Sequence, residues 1–154
     1  MNRQELHRST PRKALFVFLG LASLCTAVAG QTLREVTEED FVGTWAGRFV
    51  GVGSGAFETT IGRDAEGKLT CSIWIKDDAP EVEAATLPCT SARFADGKFT
   101  STFLDASGMA EIRTVATTEG LSIEGAYAAR ALEDGTEVDR GTFTGTKLPA
   151  TPKR

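Results

Sequence analysis

The chain has 154 residues, 41% hydrophobic, 25% charged and 8% aromatic, which fits one globular domain. Sixteen Gly against five Pro, without a low-complexity tract, exclude collagen-like and disordered classes. A net charge of −4 and a pI near 5.1 remove the basic footprint that holds phosphates, so no nucleic-acid partner is expected.

At the N-terminus, Arg3, Arg8, Arg12 and Lys13 stand against one acid, Glu5, and an uncharged run follows from Ala14 to Ala29. A basic start, a short apolar core and small residues at Ala27 and Ala29 predict a signal peptide over residues 1–29, cut after Ala29. The run is shorter than the ~20 residues of a comfortable membrane span. Leu24 is too bulky for a lipid-attachment motif at Cys25. The expected destination is the periplasm or the medium, with no membrane association after cleavage. Removing this piece takes away His7 and Cys25 and leaves 13 Lys and Arg against 20 Asp and Glu, a net charge near −7.

Residues 30–40 read as an N-terminal arm, in which Thr37-Glu38-Glu39-Asp40 are placed to cap one helical turn before Phe41. The β-domain spans 41–148, and 149–154 form a tail. Seven turn signals divide the domain: 51–55, 64–67, 77–80, Asp96-Gly97, 105–108, Glu119-Gly120 and Asp134-Gly135. Gly after Asp, Glu or Ser supplies the positive φ of tight hairpins, and the spacing leaves no room for helical crossovers. Eight strands follow.

The segments between the turns alternate with a period of two, as half-buried antiparallel strands do. Trp45, Gly47 and Phe49 share one face; so do Phe57, Thr59 and Ile61, and then Leu69, Cys71, Ile73 and Ile75. Further along, Phe99, Ser101 and Phe103 share a face, as do Leu121, Ile123, Gly125 and Tyr127. Strands four and six are less regular, the sixth offering only Ala110, Ile112, Thr114 and Ala116. Trp74 falls on the outer face with Ser72 and Lys76, either as a partner-binding anchor or under the N-terminal arm.

The expected fold is all-β: an eight-stranded antiparallel up-and-down meander closed into a small barrel, with a β-sandwich as the alternative. Gly43-Thr44-Trp45-Ala46-Gly47 in the first strand and Gly141-Thr142-Phe143-Thr144-Gly145 in the last repeat one pattern in the two strands that would close it. Glycine beside an aromatic lets a coiled strand bend. With the helical turn ahead of it, this Gly-Thr-Trp strand resembles the calycin group of lipocalins, avidins and small bacterial relatives. The resemblance implies that Lys147 lies over the Trp45 ring, but carries over no ligand residue, since the avidin pocket pattern is missing.

Cys71 and Cys89 form the most specific pair. A third-to-fourth-strand hairpin centred on Pro80 sets opposite each other residues whose numbers sum to 160, so 71 meets 89, 73 meets 87 and 75 meets 85. In an oxidising compartment a disulfide follows. With His7 removed, neither a Ser-His-Asp arrangement nor the usual zinc sites can form, and no enzyme activity, metal or cofactor is expected. The acids at Asp77, Asp78, Glu81 and Glu83, and at Glu133, Asp134, Glu137 and Asp139, read as solvated hairpin tips.

The first functional expectation is an exported binding module that takes a small apolar ligand, lined by Trp45, Phe49, Phe57, Ile73, Phe103 and Tyr127. The alternative is a secreted inhibitor or protein-interaction module. Small one-disulfide barrels resemble bacterial metalloprotease inhibitors, whose N-terminal arm enters the protease cleft; the arm here would be residues 30–40.

Overall fold

In a computed structural model the structure describes residues 34–150. The expected signal peptide 1–29, the arm residues 30–33 and residues 151–154 of the expected tail lie outside the described residues. Chain order is α1 (Glu38–Phe41), β1 (Gly43–Val50), β2 (Ser54–Arg63), β3 (Leu69–Asp77), β4 (Ala85–Ala95), β5 (Lys98–Leu104), β6 (Ala110–Glu119), β7 (Ser122–Ala131) and β8 (Glu137–Lys147). All neighbours pair antiparallel, and β1 also pairs β8 with Trp45 opposite Lys147 and Phe49 opposite Phe143. That last ladder makes the sheet a closed barrel, not a sandwich. It removes both edges, the exposed hydrogen-bonding rows that invite aggregation.

Turn chemistry sets the hairpins. Asp96 and Gly97 form a two-residue loop with φ of 52° and 72°. Two left-handed residues in succession match the right-handed twist of the strands they join. Leu121 differs from expectation: it lies in the β6–β7 turn, 68% exposed, and not on the inner face with Ile123. Its carbonyl accepts the Lys147 N–H, so it serves the ladder through its backbone.

Strand β4 carries a bulge between Cys89 and Ser91, where the pairing with β5 steps from Phe103 to Thr102. The extra residue shifts the alternation, so Leu87 and Cys89 before it and Ala92 and Phe94 after it all pack in the core. A strict period of two cannot describe such a strand, which is why its pattern is irregular in sequence.

Glycines face aromatic rings across strands. Gly55 pairs with Phe49, Gly47 with Phe57, Gly125 with Phe143 and Gly141 with Tyr127. A methyl group built on Gly55 would stand 2.6 Å from the Phe49 ring, and one on Gly141 would stand 2.7 Å from Tyr127 Cε1. The Phe49, Phe143 and Tyr127 rings therefore lie over the bare backbone of their partners, and the Phe57 ring over Gly145, as a coiled small barrel requires.

The β3–β4 register is the expected one: Ile73 opposite Leu87 and Ile75 opposite Ala85. Beyond the last paired residues, Cys71 and Cys89 stand at disulfide distance with Cα atoms 5.3 Å apart. Closing this loop stabilises the fold by about 3 kcal/mol in the chain-entropy model. Non-reducing peptide mapping should recover one linked peptide containing both cysteines, and replacing both by Ser should remove roughly that free energy in urea unfolding. Two alkylatable thiols in denaturant without reductant would overturn the bond.

Candidate functional site

One end of the barrel is sealed by α1. The Asp40 carboxylate accepts hydrogen bonds from the Thr37 N–H (2.8 Å) and hydroxyl (2.9 Å), closing the turn that carries Phe41. Those bonds, chiefly the backbone one, hold the Asp40 carboxyl below the usual carboxylate range. Phe41 is fully buried and packs against Phe99 and Phe94, with ring centroids 5.6 and 5.8 Å apart. Trp45, also fully buried, donates its indole N–H to the Phe41 carbonyl at 2.8 Å. Lys147 completes the seal: its Nζ lies 5.1 Å from the Trp45 ring centroid and donates to the Asp40 carbonyl at 2.9 Å. A cation over indole in a partly desolvated setting is worth about 1–2 kcal/mol.

Lys147→Met should therefore destabilise the protein by about 1–2 kcal/mol. Acrylamide quenching should separate two tryptophans: Trp45, inaccessible, and Trp74, 40% exposed on the outer face. Equal quenching of both would contradict the sealed end.

Above this plug the barrel is hollow. A cavity of about 280 Å³ opens at the other end, where the β1–β2, β3–β4, β5–β6 and β7–β8 loops gather. Its floor is made by Ile61, Phe99, Ala116 and Ile123, which belong to the same core as Phe41 and Trp45. Of the residues expected to line a ligand site, Phe49, Phe57, Ile73, Phe103 and Tyr127 line this cavity. Trp45 does not; it belongs to the seal. Phe57 meets Phe143 edge to face at 5.6 Å, and Phe49 meets Tyr127 likewise at 6.3 Å, so the wall rings brace one another.

The wall is not purely apolar. Ser101, 3% exposed, and Thr114 are hydrogen-bonded to each other at 2.6 Å, and both line the cavity. At the mouth stand Asp77, Glu83 and Asp139 with Val82. Asp77 and Asp139 thus correct the reading of the acids as hairpin-tip residues. Asp77 continues the inward series Cys71, Ile73, Ile75, and Asp139 continues that of Gly141 and Phe143. Parity along each strand was the available signal; composition of the turns obscured it.

Asp139 is fixed by two donors, the Val52 N–H at 2.9 Å and the Tyr127 hydroxyl at 3.0 Å. Gly51 lies against that pair, with no room for a Cβ beside the Tyr127 hydroxyl. Burial first, then the bond to Asp139 and the charges of Asp139 and Asp77, push the Tyr127 phenol up to about 12. This is the chain's sole tyrosine, so absorbance at alkaline pH reports it alone. One tyrosinate transition near pH 12 is expected, moved down toward the ordinary value of about 10 in Asp139→Asn. The sign is that of a raised pKa: the phenol's stabilising contribution is present below about pH 10 and is lost as pH climbs through about 12.

The open rim also exposes aliphatic side chains from every loop: Val52, Val82, Met109 and Leu132. Trp74 does not line the cavity; it lies between Glu58 and Thr86 on the outer sheet face. Glu124, Arg113 and Arg130 are exposed there too. Among the described residues no cluster of His, Cys, Asp and Glu is arranged to hold a metal, and no helix is long and apolar enough to cross a membrane. No protein-family model matches the chain, and no curated protein matches it.

Proposed function

We propose that this is an exported, non-enzymatic barrel of calycin type that binds a small apolar molecule inside the barrel. The observation that carries the reading is the cavity of about 280 Å³, floored by packed hydrophobic side chains and open at one end. At roughly 30 Å³ for a water-sized group, that volume suits about nine non-hydrogen atoms. It is small beside most ligand pockets, yet about twice the size of cavities that admit benzene.

The sealed end supports the calycin reading, because Gly43-Thr44-Trp45, the preceding turn and Lys147 meet there. Export is supported by the N-terminal pattern and by a cysteine pair at disulfide distance. The non-enzymatic reading rests on chemistry: residues 30–154 contain no histidine to activate a Ser or Cys nucleophile.

Native mass spectrometry and solvent extraction of the secreted protein should reveal a bound small molecule, and calorimetry should show octan-1-ol binding. Filling the floor with Ala116→Phe, or the wall with Thr59→Phe, should weaken octan-1-ol at least tenfold in variants whose β-sheet circular dichroism is retained. A protein that carries no molecule and gives no heat with octan-1-ol would overturn the proposal.

A further inference from the structure

We infer that the cavity's ligand is a cationic amphiphile, its apolar body in the barrel and a protonated amine at the mouth. This rests on the cavity reading above and adds the charge of the ligand. Three carboxylates, Asp77, Glu83 and Asp139, line the cavity, and no Lys or Arg does. None of the three takes part in an ion pair among the described residues, while the cations nearby are engaged elsewhere. Arg48 pairs with Asp78, Arg140 with Glu137, and Lys76 donates to the Val82 carbonyl.

Two of the three carboxylates are also held in position. Asp139 is oriented by Val52 and Tyr127, and Asp77 accepts the Ala79 N–H at 2.8 Å. Neutral donors of this kind fix a carboxylate and leave its charge in place, with further lone pairs to offer. Asp77 and Asp139 are half-buried at the rim of an apolar chamber and Glu83 is exposed beside them, so a counter-charge placed among them interacts in a partly desolvated setting. An ammonium group brings three N–H donors and that charge together. A carboxylate or phosphate head would instead meet three like charges.

A separate observation shows that the chamber is not built for hydrocarbon alone. The hydroxyls of Ser101 and Thr114 carry two protons, and their mutual bond uses one. The other has no acceptor among the described residues, so the chamber also accommodates a polar atom in the body of an occupant.

The test is calorimetry on the secreted protein with octylamine, octan-1-ol and octanoate, three probes of one chain length at neutral pH. Octylamine should bind about tenfold more tightly than octan-1-ol, and octanoate most weakly. Asp77→Asn and Glu83→Gln, which keep side-chain size, should each shrink the amine-to-alcohol ratio, and added salt should shrink it in the wild type. Octanoate binding as tightly as octylamine, or a ratio unchanged in both variants, would overturn the inference. If octan-1-ol binds and octylamine binds no better, only the inference about charge fails. If none of the three binds, the cavity reading fails with it.

Discussion

The β1–β8 ladder and the Trp45 seal beneath it are the constraint from which the other features follow. Closure brings Lys147 opposite Trp45, and the Lys side chain then reaches across the indole to the carbonyl of Asp40. That carbonyl belongs to α1, and the next residue of the same turn, Phe41, accepts the Trp45 N–H through its own carbonyl. One side chain from the last strand thereby ties the first strand and the helix that precedes it. A polar group buried at a barrel end is costly unless bonded, and here the indole N–H and the ammonium both find backbone acceptors. The sealed end is filled by the fully buried Phe41 and Trp45, while the other half of the barrel is hollow.

The glycines transmit that closure through the wall. Where Phe143 lies over Gly125, Tyr127 over Gly141 and Phe49 over Gly55, the ring covers a bare backbone and the strands approach closely. Aromatic volume is thus spent along the wall and not across the centre. A barrel of this strand number sits at the boundary between a filled interior and a ligand chamber. Laying rings against glycine moves it toward the second. The same repeated Gly-Thr-aromatic pattern that marks the closing strands therefore also leaves space inside.

Much of the fold was legible because alternation and turn residues are local signals. The Cys71–Cys89 register is the sharpest case, since a hairpin centred on Pro80 dictates which numbers meet. The β4 bulge was not legible: one unpaired residue after Cys89 reverses the parity, and no composition announces it. In the site, the apolar wall residues Phe49, Phe57, Ile73, Phe103 and Tyr127 could be read from alternation alone. Trp45 has the same parity, but its height along the barrel axis places it in the seal, and height depends on strand stagger. Asp77 and Asp139 were hidden by their neighbours, because a run of acids beside a turn ordinarily means solvent.

The two ends of the barrel divide the work of the fold. At the sealed end, the Trp45 N–H, the Lys147 ammonium and the Asp40 carboxylate have protein partners and Phe41 and Trp45 are fully buried, so substitutions at these residues act on stability. At the open end, aliphatic side chains are exposed on every loop and the carboxylates lining the cavity have no counter-charge among the described residues. Native structures seldom leave several such features together without a use for them. Tyr127 joins the two regimes: its ring packs in the wall against Gly141 while its hydroxyl fixes Asp139 at the mouth. A side chain with one apolar face and one polar tip sets the depth at which the chamber changes from hydrocarbon to charge. That boundary is the feature a bound amphiphile would have to match.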